Sequence, residues 1–288
     1  MLKRNIMTLL FVLGAAVVSY QYYSTYTQSP WTRDGQVQSH VISITPRVTG
    51  QVTSVHVHDN ADVKQGDLLF EIDDSLYKVA YDKAIAEEQQ EKASLERALN
   101  EEQRAVNLEL RSPGSVPVLT INNLDNAIEA ARANLELAQA TVKEALLNLE
   151  YTKVYAPEDG YITNLNLRVG SHVVANSPVV ALIDKNSFWI EAYFKETDLK
   201  GVNVDNEAQI VLMTHDDVVI EGTVQSIGFG IAKQDGSTGV DLLPNVNPNF
   251  QWIRLAQRIP VKIQLDDIPE YIQLRVGMTA SVKIYKQN

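Results

Sequence analysis

The most informative pattern along the chain is a run of alternating apolar and polar residues that occurs twice. One copy runs from Pro46 to Val63 and the other from Pro157 to Val173. From the first glycine of each copy, residues of matching character follow in register. The corresponding pairs are Gly50 and Gly160, Val52 and Ile162, Asn60 and Gly170, and Val63 and Val173. The chain therefore contains an internal duplication.

Alternation of this kind is the period of a half-buried β-strand, so each copy predicts a short strand, a turn and a second short strand. Asn60 and Gly170 both suit a turn whose backbone has positive φ. One copy is too small to bury its apolar face, and two copies packed together would form a flattened β sandwich. The pattern is typical of the two halves of a biotinyl/lipoyl-like domain, which we place at residues 41–74 and 154–186.

A helical segment at residues 75–153 separates the two halves. It is rich in Ala, Glu, Gln, Lys and Leu, and Ser112–Pro117 breaks it into two arms, which predicts a hairpin. At ~1.5 Å per residue each arm reaches roughly 45–55 Å, which is too long to bury against a small sandwich, so the hairpin must project. The second arm has apolar residues at coiled-coil spacing, namely Ile121, Leu124, Ile128, Ala131, Leu135, Ala138, Val142, Ala145 and Leu149. The apolar residues of the first arm do not fit a single coiled-coil register. They are Leu76, Tyr77, Ala80, Ala84, Leu95, Leu99, Val106 and Leu108.

Residues 187–288 have the pattern of a small β barrel. Gly and Asp/Asn turns separate five strand-like runs, which are Phe188–Phe194, Ala208–Met213, Val218–Ile227, Arg258–Leu265 and Thr279–Tyr285. Glu196–Gly201 predicts one helical turn with a threonine cap and a glycine stop. Residues 232–249 are rich in Gly, Ser, Asn and Pro and predict a loop. The fold class predicted overall is mainly β, with an inserted coiled-coil hairpin and a transmembrane helix at the amino end.

The amino-terminal segment predicts that membrane anchor. Lys3 and Arg4 precede an apolar run, and residues 6–24 come close to the ~20 residues that a helix needs to cross the hydrocarbon. Positive charge before the run places residues 1–5 in the cytoplasm and the bulk of the chain outside the cytoplasm, attached to the membrane by a single span. Residues 25–40 would be a linker or strand outside the membrane. The alternative is a cleaved signal peptide, because residues 14–16 are small.

Composition narrows the function. The chain has 288 residues, of which 45% are apolar, so a sizeable core is expected. Its net charge of −11 argues against a nucleic-acid partner, because phosphates attract basic faces. The sequence contains no cysteine, which excludes disulfides, thiol nucleophiles and zinc–thiolate sites.

Candidate chemistry is sparse. In enzymes, lipoyl domains carry a modified lysine at the turn that joins the two halves, and here the hairpin replaces that turn, so we predict no cofactor and no carrier role. His56 and His58 have the spacing of a metal pair on a strand. Their counterparts Asn166 and Arg168 lie on the polar face, so we expect surface histidines. No Ser/His/Asp order, phosphate loop or dinucleotide motif occurs, and the chain is predicted not to be an enzyme.

Together these features resemble the HlyD/EmrA-type membrane fusion proteins, the periplasmic adaptors of tripartite efflux pumps. The resemblance covers nearly the whole chain. It implies that the anchor lies in a bacterial inner membrane, with residues 25–40 as a periplasmic linker or strand and the bulk of the chain in the periplasm. Its motifs are Ile44–Gly50, Ala156–Gly160, Tyr193–Thr197 with Lys195 and Glu196, Arg258–Ile263, and Leu274–Thr279 with Gly277 and Met278. Within the family the chain resembles the adaptors of p-hydroxybenzoic acid (aromatic carboxylic acid) efflux pumps. That similarity is carried by Ser29–Asp34, His56–Asn60, Thr163–Leu167, Asn186–Phe188 and Trp252–Arg258.

The resemblance implies three kinds of partner: an inner-membrane transporter, a TolC-type outer-membrane channel, and further copies of the chain in a ring or in pairs. The implied cargo is small aromatic acids or drugs. Family members dock the channel through an Arg-x3-Leu-x6-Ser pattern at the hairpin tip, and Arg104, Leu108 and Ser115 have this spacing. Thr120 competes with Ser115 as the cap of the second arm.

Two other functions stay open. An adaptor for polypeptide or polysaccharide secretion would keep the fold, although such adaptors often have longer hairpins or extra transmembrane segments. A periplasmic lipoyl-type carrier or enzyme subunit would need the modified lysine or the catalytic cluster that the sequence lacks.

Overall fold

The structure, a computed structural model, describes residues 13–17, 19, 29–229, 256–269 and 271–286. None of the helices in these residues combines the length and the apolar character needed to cross a membrane. The anchor predicted at residues 6–24 lies largely outside the described residues, and the loop predicted at 232–249 lies entirely outside them. The chain divides into two compact units, one of residues 41–184 and one of residues 1–40 with 185–288.

Fourteen strands and two long helices make up the described residues. In chain order they are β1 Trp31–Gln38, β2 Val41–Ile44, β3 Gly50–Val55, β4 Asp62–Val63, β5 Leu68–Ile72, α1 Ser75–Arg111, α2 Val118–Glu150, β6 Lys153–Tyr155, β7 Gly160–Thr163, β8 His172–Val173, β9 Val180–Asp184, β10 Trp189–Lys195, β11 Glu207–Leu212, β12 His215–Ile227, β13 Arg258–Leu265 and β14 Thr279–Ile284. The two halves predicted from the duplication supply β2–β5 and β6–β9, and the hairpin lies between them.

The duplicated halves form a β sandwich of two four-stranded sheets. One sheet has the strand order β2-β9-β7-β4 and the other β6-β5-β3-β8. Each sheet therefore takes two strands from each half, and the two orders are equivalent by the duplication. Four pairings join the two halves, namely β2 with β9, β4 with β7, β5 with β6, and β3 with β8. The predicted sandwich is confirmed, and these pairings explain why neither half buries its apolar face alone.

The sandwich core consists of the apolar residues that alternate along both halves. Leu69, Phe70, Ile162 and Leu182 are completely buried, and Val52 is 1% exposed. Burying a side chain of this size stabilises the fold by about 1.5–3 kcal/mol. The core therefore ties strands more than 90 residues apart into one unit.

The hairpin consists of α1 and α2, with 37 and 33 residues. All nine coiled-coil positions predicted for α2 are buried or half-buried, which confirms that seam. The helix α1 also has a regular seam at three- and four-residue steps, which apolar periodicity did not reveal. Its members are Tyr77, Tyr81, Ala84, Glu88, Glu91, Leu95, Ala98, Glu102, Ala105 and Glu109. Four of these are glutamates, whereas the apolar residues Leu76, Ala80, Leu99 and Leu108 are exposed.

The base of the hairpin is attached to the sandwich through the segment between β2 and β3. The Tyr77 hydroxyl of α1 donates to the Thr49 carbonyl over 2.7 Å. The guanidinium carbon of Arg47 lies 4.6 Å from the ring centroid of Tyr151, the residue after α2. At the start of α1, Asp73 accepts hydrogen bonds from the Ser75 hydroxyl and amide, which lower the pKa of Asp73. The start of α1 and the end of α2 are therefore both fixed at the sandwich.

The second unit is a closed six-stranded barrel with the order β1-β10-β13-β12-β11-β14. All neighbouring strands are antiparallel, and all five strands predicted in the last hundred residues are present. The sixth strand, β1, comes from the segment before the sandwich and closes the barrel between β10 and β14. Val37 of β1 and Phe194 of β10 lie in its core.

The helical turn after β10 differs from its prediction. It is a 3-10 turn at Glu196–Asp198 that begins after Lys195, without a side-chain cap. Thr197 lies inside the turn, and its hydroxyl donates to the Asp198 carboxylate over 3.0 Å. The prediction of a threonine cap was therefore wrong, because the turn begins at Glu196 and Lys195 occupies its N-cap position. Gly201 does follow with φ of +83°.

Candidate functional site: the hairpin tip

The tip of the hairpin is the six-residue link 112–117 between α1 and α2. The amide of Ser112 donates to the Leu108 carbonyl over 2.9 Å, and Gly114 has φ of +84°. Pro117 is the N-cap of α2 in an extended conformation, which suits a residue that has no amide to donate. Thr120 lies inside α2, with its amide 2.8 Å from the Pro117 carbonyl. Thr120 is therefore not the cap of the second arm.

Glu109 holds this link in place. One carboxylate oxygen accepts the Gly114 amide over 2.7 Å, and the other accepts the Val116 amide over 2.9 Å. These backbone hydrogen bonds, that of Gly114 foremost, lower the pKa of Glu109 below its usual value of 4.5. The carboxylate therefore stays charged at neutral pH and bridges both ends of the turn.

The three residues predicted to dock a channel lie near this turn. The Ser115 hydroxyl points at the Leu108 carbonyl, at 3.5 Å, so the link brings Leu108 and Ser115 together. Arg104 lies one turn of α1 further from the tip, and its Nε donates to the Asn100 carbonyl over 3.2 Å. The guanidinium is exposed and folded back along the helix. The structure thus brings Leu108 and Ser115 together, whereas Arg104 lies one helical turn closer to the base of the hairpin.

The tip also exposes apolar side chains that the docking pattern does not include. Leu110, Val118 and Leu119 are each at least 70% exposed, and Leu108 is 51% exposed. Exposed apolar side chains grouped at one end of an element are typical of an interaction surface.

The sequence signal for Glu109 is a carboxylate shortly before a Pro/Gly break. Without the structure, this residue cannot be distinguished from the other glutamates of α1.

The six residues of the half-motifs have structural roles in the sandwich. A Cβ at Gly50 would lie 2.5 Å from the Ile72 side chain, and one at Gly160 would lie 2.2 Å from the Ile183 carbonyl oxygen. Asn60 and Gly170 have φ of +62° and +92°, as predicted from the turn. Val63 and Val173 are almost completely buried.

The sequence pattern did not lead us to predict a second pair of turn residues with positive φ. Gly66 has φ of +87°, and Asn176, its counterpart in the second half, has φ of +62°. At these two equivalent turns each half therefore has one Gly and one Asn in the left-handed region, in opposite order, and the second half has a further such residue in Asn164, with φ of +56°. The signal was available, because the same spacing that relates Gly50 to Gly160 relates Gly66 to Asn176.

The barrel motif residues hold the ends of strands. Lys195 pairs across the sheet with Arg258, and the Glu196 amide donates to the Gln257 carbonyl over 2.9 Å. Gly277, with φ of +89°, donates its amide to the Val37 carbonyl, and the Met278 carbonyl accepts the Val37 amide. The last two residues therefore attach the strand β1 to the turn before β14.

Metal-ligating side chains are dispersed in the described part of the chain, where no group of three or more His, Cys, Asp or Glu could hold an ion. His56 and His58 are both exposed. The His56 Nε2 lies 3.0 Å from a Glu71 carboxylate oxygen, so this histidine pairs with its neighbouring strand.

Two family models match the two units. Residues 40–185 match the model described as "RND MFP, barrel-sandwich hybrid domain", where MFP stands for membrane fusion protein, and residues 187–285 match the "AAEA-like beta-barrel domain". The chain belongs to the membrane fusion protein family. Members of this family are non-enzymatic adaptors. A relative in Escherichia coli strain K12, "Uncharacterized protein YdhJ", is 36% identical over 280 residues, which cover 96% of each chain.

Solved structures share the fold of this membrane fusion protein at low identity. The membrane fusion protein Spr0693 from Streptococcus pneumoniae R6 is 16% identical with a TM-score of 0.65, covering 90% of this chain and 99% of that one. MacA from Actinobacillus actinomycetemcomitans is 20% identical with a TM-score of 0.60, covering 88% and 80%. The sandwich, hairpin and barrel are therefore the architecture of the family.

Proposed function

We propose that this chain is the periplasmic adaptor of an efflux pump and links an inner-membrane transporter to an outer-membrane channel of the TolC type. The observation that carries the proposal is the hairpin inserted in a barrel-sandwich hybrid, with exposed apolar residues at its tip. Helices of 37 and 33 residues span about 50 Å at ~1.5 Å per residue. The tip can therefore contact a partner far from the sandwich, while the transporter supplies the energy.

The adaptor would be held at the inner membrane by residues 6–24, with residues 1–5 in the cytoplasm and both folded units in the periplasm. The positive charges of Lys3 and Arg4 before the apolar run support this orientation. Copies of the chain would associate around the transporter, because a conduit has to surround its cargo.

For the cargo we propose small aromatic carboxylic acids. The resemblance of five segments to adaptors of p-hydroxybenzoic acid pumps supports this choice. A polypeptide or polysaccharide cargo is the competing possibility, and the same experiment separates the two.

The test measures export of p-hydroxybenzoate from cells that lack the gene and carry it again on a plasmid. Arg104→Ala with Leu108→Ala should abolish the restored export at normal protein level, because the docking residues at the tip are gone. Lys92→Ala with Leu99→Ala, which removes a cationic residue and a leucine from α1 away from the tip, should restore export fully. Normal export by the tip variant would refute docking through these residues. If cells that lack the gene export p-hydroxybenzoate as well as cells that have it, the proposed cargo is refuted.

A further inference from the structure

One end of the barrel, where β1 begins and β14 ends, carries aromatic and basic side chains on its outside. Trp31 pairs across the sheet with Lys283 and is 48% exposed. The guanidinium carbon of Arg33 lies 5.5 Å from the centroid of the Trp31 ring. The amine of Lys283 lies 4.8 Å from the centroid of the Tyr285 ring. Both rings therefore have a basic side chain beside them.

The segment between β10 and β11 reaches the same end of the barrel. The Tyr285 amide donates to the carbonyl of Glu207, the first residue of β11, over 2.8 Å. A Cβ at Gly201 would lie 3.6 Å from Cδ of Lys286. Val204, in the turn before β11, is 52% exposed. We define the anchor-side surface as Trp31, Arg33, Lys200, Val204, Lys283, Tyr285 and Lys286.

The basic side chains of the anchor-side surface are available to an outside partner. Within the part of the chain that the structure describes, none of them forms an ion pair. The acidic residues of this barrel end lie on the adjoining turns and at the start of β11, and they are Glu196, Asp198, Asp205 and Glu207. Four unpaired basic residues beside exposed aromatic and apolar side chains are unusual in a chain whose net charge is −11. They suit a partner that is anionic and has an apolar interior.

A short stretch of chain keeps this end of the barrel near the membrane. The predicted anchor ends at residue 24, and Trp31 follows seven residues later. Seven residues reach at most about 25 Å when fully extended. The Ile284 amide donates to the Pro30 carbonyl over 2.9 Å, so the chain is attached to β14 before it reaches Trp31. The anchor-side surface therefore cannot move far from the lipid headgroups.

We infer that the anchor-side surface binds the surface of a bilayer that contains anionic phospholipids. The inference rests on the membrane anchor proposed above and adds a second point of attachment for the barrel. Trp and Tyr rings are favoured at the depth of the headgroups. Lysine and arginine side chains are attracted to the phosphates of anionic lipids. Val204 is exposed beside them and can enter the outermost part of the hydrocarbon.

The test places the full chain in vesicles of phosphatidylcholine and phosphatidylglycerol whose acyl chains are brominated and quench nearby indole fluorescence. Trp189→Phe with Trp252→Phe leaves Trp31 as the only tryptophan, and we expect its fluorescence to be quenched. The matched control is Trp31→Phe with Trp252→Phe, which leaves Trp189. Trp189 pairs with Gln38 at the other end of β1, about 24 Å along the strand from Trp31, so it should not be quenched. Equal quenching of both tryptophans would overturn the inference.

Removal of charge provides an independent arm. Lys283→Ala with Lys286→Ala should lower the ratio of docked to undocked barrel about 25-fold, since roughly fivefold is expected for each positive charge. Lys83→Ala with Lys92→Ala removes the same charge from the helix α1 and should leave the quenching of Trp31 unchanged. Vesicles of phosphatidylcholine alone should give little quenching, and quenching as strong as with phosphatidylglycerol would contradict a role for anionic headgroups.

Extraction with alkaline carbonate separates failure of this surface from failure of the anchor. If the chain stays in the membrane but Trp31 is not quenched in vesicles without other proteins, the inferred surface is overturned and the anchor stands. If carbonate releases the chain, the proposed anchor and the surface fall together.

Discussion

At the scale of single residues, the sandwich depends on positions where a side chain has no room. Gly160 is the first residue of β7, which pairs with β4 on one side and β9 on the other. A Cβ there would meet the backbone of Ile183, which cannot move without disturbing the sheet. At Gly66 the requirement is different, because space is open and only the positive φ restricts the residue.

We expect Gly160→Ala to lower the free energy of unfolding of the sandwich by about 1–3 kcal/mol, the usual cost of overpacking. Gly66→Asn is the matched control and should cost little, because Asn176 already adopts that conformation at the equivalent position. Urea unfolding followed by circular dichroism measures both variants. Equal urea midpoints for Gly160→Ala and the native chain would show that the backbone at Ile183 can move to make room for the added Cβ.

A second residue-scale prediction concerns Glu109. Its two amide hydrogen bonds lower its pKa, so the anchoring of the link is present above the usual value of 4.5 and is lost as the pH falls through the lower pKa of the folded state. The amide resonances of Gly114 and Val116 should therefore shift on acidification with a midpoint below pH 4.5. In Glu109→Gln they should be displaced already at pH 7, while Glu101→Gln should have no effect. A midpoint at or above pH 4.5 in the native chain would contradict the anchor.

At the scale of elements, the helix α1 owes its position to its partner and not to its own apolar pattern. Glu88, Glu91 and Glu102 occupy seam positions that coiled coils normally fill with apolar residues. The apolar seam of α2 and the hydrogen bond from Tyr77 to Thr49 hold α1 in place.

Replacing a seam glutamate by leucine should therefore stabilise the hairpin. We expect Glu91→Leu to add about 1 kcal/mol, because roughly half of a leucine side chain becomes buried against α2. The helical signal should melt about 2–4 °C higher. Glu96→Leu makes the same change on an exposed side of α1 and should leave the melting temperature unchanged. A lower melting temperature for Glu91→Leu would mean that the glutamate makes a favourable contact in the seam.

At the scale of the whole molecule, the barrel is assembled from two distant parts of the chain. The strand β1 precedes the sandwich, and Val37 is completely buried in the barrel core. A closed barrel that loses one strand exposes two unpaired edges. The sandwich and hairpin, by contrast, are formed by the continuous residues 41–184.

A chain that begins at Val41 should therefore keep the sandwich and the hairpin but lose the barrel. Limited proteolysis should leave a protected fragment that ends near residue 184, whereas a chain that begins at Ser29 should protect both units. Equal protection of residues 187–229 in the two chains would show that the barrel folds with five strands and does not need β1.

Local periodicity determined most of the elements. The alternation from Gly50 and Gly160 predicted both half-motifs, the heptads from Ile121 to Leu149 predicted the seam of α2, and Ser112–Pro117 predicted the break between the arms. These features depend on neighbours a few residues away, so the sequence alone contains them. The spacing of Arg104, Leu108 and Ser115 was also visible, as a resemblance to the docking pattern of the family.

Tertiary structure alone decided the features that depend on distant partners. The pairing of strands from different halves, the entry of β1 into the barrel and the glutamates in the seam of α1 each require a partner far along the chain. Glu109 became distinct from the other glutamates of α1 only when the link folded back and brought the amides of Gly114 and Val116 to its carboxylate. A sequence states what each residue prefers next to its neighbours, and the fold determines which distant atoms meet.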